Sequence, residues 1–554
     1  MSDNLLLALD AGTSAVKALL VSPVRGGWKL HARAVQPLRE PDSLPGGGVE
    51  QSPEEWWQAA VHAARQVIEA VGAAADVRTV SLSGQMQSVI LCSRDAVALR
   101  PALLYSDSRA SAEATHLEEQ LGRERLLAET ANWKGAVSIL PKLLWLQRHE
   151  PDALESAVHV LLGAADYLFA RLTRDGGDGS GDHHAPPAPD ALPALLTDYT
   201  NAATTGLLSA AGGDWHDSLL EQAGLLSVRA KLPALAAPAD AVLPLSTAAA
   251  AALGIADGAR VRVCHGAGDL GTTTVGALAA LGGACSGTYC YLGTSGWVAC
   301  AGAGAIDAPR AFGVRHPYAG HSIAAAPMTT AGAHLGWAGR LLFPEAKDEG
   351  SAIGMVEAEA KCAAPDAGGV LFLPYLGGER CPIEDPNARA CWIGMSAATR
   401  RPELCRAVIL GICFALRSLL QLLPERPPLD SIASGSSANG SAIALVGGAA
   451  RSHVLAQCLA DVLQRCIIVP AHPQDIPALG CAEIAAEALG LRQTSEAAAA
   501  DGRAGGVAFE ATPNAAMAPS LDAMFQAFCG AHPGLRETFG TLAAAPRAQS
   551  NEQS

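Results

Sequence analysis

Two segments of this 554-residue chain place the same Gly-Thr-Ser turn between two short apolar runs. The turns are Gly12-Thr13-Ser14 and Gly293-Thr294-Ser295. Short apolar runs around such a turn are typical of a β-hairpin. The turn presents backbone N–H groups and hydroxyls to an anion, and glycine permits close approach. Two such turns facing each other across a cleft would hold a polyphosphate from both sides.

Charged residues accompany only the first turn. Asp10 ends the apolar run before it, where a carboxylate is placed to hold the hydration shell of Mg²⁺. Lys17 follows the turn and is within reach of a phosphate as a point charge. For one hairpin alone, a structural aspartate in a tight turn is the favoured interpretation, and the second matched turn reverses that preference. The sequence contains no G-x-x-x-x-G-K-[ST], G-x-S-x-G or H-E-x-x-H motif.

A third segment, residues 266–271, matches G-x-G-x-x-G after an apparent strand at 261–264 and before a helical pattern at 272–281. One interpretation is a dinucleotide site. Such a site requires an acidic residue about 20 positions on, whereas the next acid after Asp269 is Asp307. The other interpretation makes Asp269 a general base at a helix N-terminus, a position that an N-cap aspartate also occupies.

Two polar segments follow predicted strands and suit a sugar. One contains Met86 and Gln87, and the other contains Tyr105 together with Asp107 and Arg109. An aromatic ring beside hydrogen-bonding groups matches the apolar face and polar rim of a carbohydrate. Either segment is also compatible with a structural turn, the common role of an Asp–Arg pair.

The elements that position these residues follow a mixed α/β pattern. Residues 52–71 predict a helix with Ser52 as N-cap and Pro53 in its first turn. A helix at 141–149 is predicted to begin with Pro141, and strands are predicted at 79–83 and 89–92. The repeated hairpin indicates an internal duplication, in which each half opens its own β-sheet. Residues 175–196 and 431–442 are interpreted as insertions without an assigned role.

Composition excludes several classes of protein. Hydrophobic residues make up 49% and charged residues 17% of the chain, which predicts roughly two to four folded domains rather than disorder. A net charge of −15 argues against nucleic-acid and anionic-membrane partners. The fourteen cysteines form no C-x-x-C motif, as expected for reduced thiols of a cytoplasmic protein. Residues 270–306 lack charge but contain nine glycines, and we expect buried strands and turns there, not a membrane span.

Motifs spread from about Leu5 to Phe539 resemble the FGGY carbohydrate kinase family and, within it, the xylulokinases. They are LALDAGTSAVKALL, LSGQMQS, ALLYSDSRA, PKLLWLQRHEP, AADYLFARLT, TDYTNAATTGLL, GAGDLGTTTVGA, LGTSGWV, TTAGAHLGW, LFLPYLGGERCPIEDPNARACWIGM, IALVGGAARSHVLAQCLADVL and DIPALGCAEIAA. The resemblance implies an α/β fold with two RNase H-like domains of the actin/hexokinase/Hsp70 type around a central cleft. A sugar-binding domain would span 1–280, a nucleotide-binding domain 281–542, and a disordered tail 543–554.

The resemblance also implies a reaction and its cofactors, ATP and Mg²⁺. The ATP γ-phosphoryl would pass in line to a sugar hydroxyl, with D-xylulose becoming D-xylulose 5-phosphate as the leading expectation. Asp269 would accept the hydroxyl proton, Asp10 would serve Mg·ATP through water and touch the sugar, and Met86, Gln87 and Tyr105 would contact the sugar. The residues implied to bind the nucleotide are Gly12, Thr13, Ser14, Lys17, Gly293, Thr294, Gly332, Gly447, Gly448, Ala449 and Ser452.

The chain departs from the xylulokinase pattern mainly on the sugar side. Gln87 stands where histidine is usual, Leu270 where asparagine is usual, and Tyr105 where tryptophan is usual. On the nucleotide side, the run at 447–450 has two glycines and two alanines where three glycines are usual. Leu270 offers no hydrogen bond, and sites that hydrogen-bond a substrate discriminate strongly, so ribulose, sedoheptulose and erythritol stay open.

Two further classes of function are alternatives. A non-catalytic, nucleotide-dependent binding protein would share the actin-like fold, but it would not need both Asp10 and Asp269. An NAD-dependent dehydrogenase would lack its ribose-binding acid. The expected partner is a small-molecule sugar, and a homodimer is left open.

Overall fold

The computed structural model describes most of the chain: residues 5–24, 27–72, 76–130, 132–174, 195–210, 213–281, 287–304, 306, 308, 311–424, 442–491 and 506–545. Residues 175–194 and 431–441, which make up nearly all of the two predicted insertions, lie outside this part, as do residues 546–554 of the predicted tail.

The described chain alternates strands and helices throughout. The strands are β1 (Leu5–Ala11), β2 (Ala15–Val24), β3 (Gly27–Pro37), β4 (Asp42–Leu44), β5 (Gly48–Gln51), β6 (Val77–Gly84), β7 (Ile90–Cys92), β8 (Ala102–Leu103), β9 (His159–Leu161), β10 (Leu196–Asp198), β11 (Ala234–Ala236), β12 (Val242–Pro244), β13 (Arg262–Gly268), β14 (Thr288–Leu292), β15 (Gly296–Ala303), β16 (Phe312–Arg315), β17 (His321–Met328), β18 (Leu371–Leu373), β19 (Cys391–Ile393), β20 (Ile443–Val446), β21 (Ile467–Pro470) and β22 (Val507–Ala511). The helices are α1 (Pro53–Val71), α2 (Ser111–Leu121), α3 (Arg123–Thr130), α4 (Ile139–His149), α5 (Pro151–Ser156), α6 (Ala164–Thr173), α7 (Tyr199–Ala203), α8 (Asp217–Gln222), α9 (Thr247–Leu253), α10 (Asp269–Leu281), α11 (Ala333–Leu342), α12 (Glu349–Cys362), α13 (Arg401–Leu420), α14 (His453–Leu463), α15 (Ile476–Ala488) and α16 (Ala518–Ala544).

Two large sheets share one topology. The first has the order β3-β2-β1-β6-β13-β12, and the second contains β17-β15-β14-β20-β21-β22 with β16 added at one edge. Read in these orders, both sheets have two antiparallel pairs, two parallel pairs and a final antiparallel pair. Each predicted hairpin lies at the same place in its sheet. The predicted duplicate hairpins are therefore confirmed.

The apolar runs explain the central strands. All seven residues of β1 are buried, as expected where a strand lies inside a sheet covered on both faces. The strand predicted at 79–83 lies within β6, and the strand predicted at 89–92 corresponds to β7, which begins one residue later. The polar residues that follow β1 and β6 lie where these strands end, at one edge of the first sheet.

Several predicted element boundaries were wrong. Helix α4 begins at Ile139, so Pro141 is its third residue; the first four N–H groups of a helix lack intrahelical partners, and proline is tolerated there. Helix α1 begins as predicted, but the Ser52 side chain makes no capping hydrogen bond. The predicted insertion ends before Leu196, which opens β10. Helix α16 continues to Ala544, two residues into the predicted tail, although the last of its residues in the hydrophobic core is Phe539.

Helix α15 of the second half joins the two halves. It packs against α10 and against β1, β6 and β13 of the first sheet. The contact with α10 is backbone to backbone: a Cβ on Gly276 would collide with the Ile476 carbonyl, and one on Gly480 with the Thr272 carbonyl. This close approach places the segment before α15 beside the end of β1.

Within the described residues, none of the helices combines the length and apolarity needed to cross a membrane. The thirteen described cysteines are all free.

Candidate active site

The two Gly-Thr-Ser turns meet each other at the junction of the two sheets. Ser14 Oγ lies 3.0 Å from Thr294 Oγ1. The second turn is held from behind, since Gly332 N donates to Gly293 O at 2.9 Å. The facing arrangement predicted for the turns is therefore present.

The other glycines predicted to bind nucleotide surround the second turn. Gly447 has φ +96°, and a Cβ there would collide with the Leu292 carbonyl. A Cβ on Gly332 would lie 2.5 Å from Gly293 O and 3.2 Å from the Ala449 Cβ. Gly448 lies beside them with no atom within 4 Å of an added Cβ. Gly332 and Gly447 thus let neighbouring backbone segments pack closely, whereas the space beside Gly448 is open to the approach of a ligand.

Ser452 differs from the other predicted nucleotide residues. Its Oγ accepts a hydrogen bond from Leu455 N at 3.1 Å and caps α14. The side chain is also nearly buried. The structure therefore gives this hydroxyl a helix-capping contact.

Asp10 and Lys17 form an ion pair across the first hairpin. They are register partners in β1 and β2, and Lys17 Nζ lies 3.4 Å from Asp10 Oδ2. Ser83 Oγ donates to the other oxygen, Asp10 Oδ1, at 2.9 Å. Lys17 Nζ also donates to Gln474 O at 3.0 Å, across the junction of the halves. The carboxylate is nearly buried and fixed at the base of the first turn.

Asp269 is the first residue of α10, three residues earlier than the predicted helix start. Burial of the carboxyl group, followed by the negative charge of Asp10, raises the pKa of Asp269 to about 7. Asp198 acts in the same direction, whereas the Leu270 N–H and the charge of Arg380 lower it. A carboxyl group with a pKa near neutrality suits a general base.

One cavity brings Asp269 together with the residues predicted to contact sugar. Met86, Gln87, Tyr105 and Thr13 line it beside Asp269. Leu270, the neighbour of the base, also lines the cavity and offers it only apolar surface. Six residues of the second half complete the wall: Ser295, Trp297, Phe312, Ala325, Pro327 and Arg380.

Gln87 is anchored by the protein. Its φ is +59°, a left-handed conformation that non-glycine residues seldom adopt. Its backbone N–H donates to Asn201 Oδ1 at 3.1 Å, and its Nε2 donates to Thr204 O at 2.9 Å. The side chain therefore has a set orientation at the cavity wall.

The segment that carries Tyr105 is fixed from below. Lys142, fully buried, donates from Nζ to Leu104 O at 2.6 Å. Burial lowers the pKa of Lys142 to about 7. Asp107 and Arg109 form an ion pair of 2.7 Å and line none of this cavity. This pair has the structural role left open by the sequence.

A buried network behind Asp269 was missed by the sequence analysis. His265 Nε2 lies 2.9 Å from Asp166 Oδ1, and both residues are buried. Asp198 Oδ2 accepts from Gly268 N at 3.0 Å, immediately before the base, while Asp198 Oδ1 accepts from Asn201 N at 3.1 Å. The sequence signal that could have revealed this network is Asp166, an aspartate inside an otherwise apolar segment.

This network also contains the one group of metal-like donor spacing in the described part of the chain, Asp166, Asp198 and His265. The carboxylate oxygens of Asp166 and Asp198 already accept hydrogen bonds from backbone N–H groups, and Asp166 also pairs with the imidazole of His265. The donor set therefore matches a hydrogen-bond network that positions the loop before Asp269.

Tyr291 and Trp297 were also missed. Their rings stack with centroids 3.9 Å apart and 15° between planes. A Cβ on Gly293 would lie 2.8 Å from Tyr291 Oη, so the hydroxyl adjoins the second turn. Burial raises the pKa of Tyr291, with the charges of Asp10 and Asp269 acting in the same direction. The sequence signal that could have revealed this pair is the position of the two aromatic residues on either side of the second Gly-Thr-Ser turn.

Each half of the chain matches one domain of a known protein family. The N-terminal domain of the FGGY family of carbohydrate kinases matches residues 5–276, and the C-terminal domain of that family matches residues 288–489. The xylulose kinase of Escherichia coli (strain K12) is 30% identical over 489 residues, which cover 86% of this chain and 89% of that protein.

Two solved structures share the fold over nearly their full lengths. The ligand-bound xylulose kinase of Lactobacillus acidophilus has a TM-score of 0.77 at 23% identity, covering 97% of this chain and 99% of that one. The gluconate kinase of Lactobacillus acidophilus has a TM-score of 0.76 at 24% identity, with the same coverage.

Proposed function

The chain belongs to the FGGY family of carbohydrate kinases, and on that premise we propose that it phosphorylates a ketose, with D-xylulose as the first candidate. The family makes it an ATP-dependent sugar kinase. The observation that carries the proposal is the place of Asp269, which lines the cavity beside Met86, Gln87 and Tyr105 and lies close enough to Asp10 of the first turn for that charge to raise its pKa.

Asp269 is the proposed general base. Its carboxylate takes the proton of the sugar hydroxyl as that oxygen attacks the γ-phosphorus. The new P–O bond forms while the bond to the ADP oxygen breaks, and the electron pair leaves with ADP. Phosphoryl transfer depends mainly on positioning and charge stabilisation. The two turns would hold the phosphates in line with the cavity.

The donor set at the first turn fits Mg²⁺. Asp10 offers a fixed carboxylate that Ser83 orients, and Asp10 and Asp269 place two acidic groups close enough for one to raise the pKa of the other. A hard divalent cation prefers oxygen ligands of this kind. When bound with ATP, Mg²⁺ would neutralise phosphate charge, and Asp10 would hold it through water.

The division of labour between the halves is part of the proposal. Residues 1–280 would form the sugar-binding domain and 281–542 the nucleotide-binding domain. Gly448 supports this division because the space beside its Cα is open next to the second turn. The free state of the thirteen described cysteines supports the proposal of a cytoplasmic location.

A second candidate substrate is an aldonic acid such as gluconate. Arg380 in the cavity favours it, because a guanidinium binds carboxylate in a bidentate manner. Leu270 offers no hydrogen bond to a ketose hydroxyl at its position, which weakens the argument for D-xylulose as the substrate.

The test is ADP release by the purified chain with Mg·ATP and a substrate panel. The panel holds D-xylulose, L-xylulose, D-ribulose, L-ribulose, sedoheptulose, erythritol, glycerol and gluconate, with Asp269→Asn as the inactive control. We expect the largest kcat/KM on D-xylulose. A larger kcat/KM on gluconate would favour the second candidate. ATP binding without sugar-dependent ADP release on any member would contradict the kinase proposal and favour a non-catalytic role.

A further inference from the structure

Arg380 belongs to the second half and lines the cavity together with the residues of the first half that are proposed to contact sugar. It follows β18 in the chain, and its cavity neighbours include Asp269, Gln87 and Tyr105. Its guanidinium carbon lies 5.5 Å from the centre of the Tyr105 ring. A positive charge from one half thus reaches the sugar-facing aromatic of the other.

The backbone at Arg380 is held firmly. Glu379 Oε1 accepts from Thr329 N at 2.6 Å and from Arg380 N at 2.7 Å. Glu379 is itself buried. This anchor ties the start of the Arg380 side chain to the end of β17, so the guanidinium is presented to the cavity from a fixed base.

The guanidinium keeps donors for a ligand. Its hydrogen bond to a described residue runs from Nη2 to Met328 O at 3.4 Å, a long contact. Among the ion pairs of the described residues, none involves Arg380. A guanidinium has five N–H donors in a planar fork, and a half-buried cation lining a cavity needs oxygen acceptors when the cavity loses its water.

We propose that Arg380 donates hydrogen bonds to oxygens of the bound sugar, so that the second half completes the sugar cavity. The inference rests on the proposed function. It makes sugar affinity depend on the approach of the two halves, because the first half alone lacks this donor. The contact with Tyr105 places the donated hydrogen bonds on the side of the sugar that faces the aromatic ring.

The test compares Arg380→Gln with Arg389→Gln in the full chain. Arg389 is exposed in the same loop, lines none of the cavity, and loses the same charge in the same substitution. Loss of a charge-assisted hydrogen bond of about 1.5–3 kcal/mol corresponds to an increase of roughly 10- to 100-fold in the KM for sugar. The KM for ATP should stay within about twofold of wild type, and Arg389→Gln should match wild type in both.

Arg380→Lys supplies a second variant if the glutamine variant does not fold. It keeps the charge but loses the planar fork, so we expect a rise in sugar KM smaller than that of Arg380→Gln. An unchanged sugar KM in the folded Arg380 variants would overturn the inference. A fall in kcat with no change in sugar KM would also overturn it, because Arg380 would then act on the phosphoryl group. Failure of the wild type to phosphorylate any sugar is a separate result that contradicts the proposed function.

Discussion

The two Gly-Thr-Ser hairpins have the same backbone design but carry opposite kinds of side chain. Two residues before the turn glycine stands Asp10 in the first hairpin and Tyr291 in the second. Across the ladder, Asp10 pairs with Lys17, and Tyr291 pairs with Trp297. The first pair is an ion pair of 3.4 Å, and the second is a stack of rings 3.9 Å apart.

This difference shows that the duplication supplies a symmetric scaffold, whereas the proposed phosphoryl transfer requires different side chains in the two hairpins. A carboxylate at both positions would set two negative charges against one polyphosphate, and like charges at short range repel strongly in a partly desolvated site. Here the first half supplies the acids and the lysine. The second half supplies the stacked rings, the open space beside Gly448 and the guanidinium of Arg380.

The largest expected effect comes from Asp269→Asn. An amide cannot accept the hydroxyl proton, so we expect kcat to fall by about 10²- to 10⁴-fold, measured as sugar-dependent ADP release. Affinity for ATP and the cooperativity of unfolding should be preserved, which separates loss of the base from loss of the fold. A kcat close to wild type would show that the acidic half does not carry the base.

A paired substitution tests the asymmetry of the hairpins directly. Asp10→Asn removes the charge of the first hairpin and should lower kcat by about 10²-fold, as expected for loss of an electrostatic group beside the phosphates. Tyr291→Phe keeps the stacked ring at the matching position and should change kcat by less than about threefold. Equal losses in the two variants, measured side by side, would mean that both hairpins contribute polar chemistry.

The pH profile should be governed by Asp269. Because its pKa is raised to about 7 and the base acts deprotonated, kcat/KM for sugar should fall about tenfold per pH unit below that pKa. Stability has the opposite sign. A carboxyl whose folded pKa exceeds its unfolded value of 3.8 destabilises the fold increasingly as the pH rises from about 4 to 7.

Asp269→Asn supplies the control for this profile. It should remove the pH dependence of kcat/KM that is due to Asp269. In denaturant titrations, its free energy of unfolding should exceed that of the wild type by more at pH 8 than at pH 5. A profile flat between pH 5 and 8 in the wild type would contradict the assignment.

The smallest expected effect concerns the contact between the turns. Ser14 and Thr294 share one exposed hydrogen bond, worth about 0.5–1.5 kcal/mol at most. A double-mutant cycle of Ser14→Ala and Thr294→Ala should show a coupling energy below about 1 kcal/mol in thermal unfolding. A coupling above about 2 kcal/mol would mean that this contact locks the two halves together.

Local patterns predicted much of the framework. Both hairpins, helix α1 and strands β6 and β7 follow from apolar runs and turn residues, because backbone hydrogen bonding in a hairpin or helix joins residues near in sequence. Boundaries were less accurate. Helix α4 includes two residues before Pro141, and α10 begins at Asp269 and not at residue 272, since packing and loop geometry determine the first turn of a helix.

The sequence by itself determined the two Gly-Thr-Ser turns that we propose bind phosphate, the place of Asp10 and the candidate base Asp269, because these residues lie in local motifs. Only the tertiary structure decided which groups surround them. The raised pKa of Asp269 depends on burial and on Asp10, and the cavity wall depends on Arg380 from the other half. The network of Asp166, His265 and Asp198 likewise joins three separate elements. Coulomb interaction and desolvation depend on distance and packing in space, not on separation along the chain.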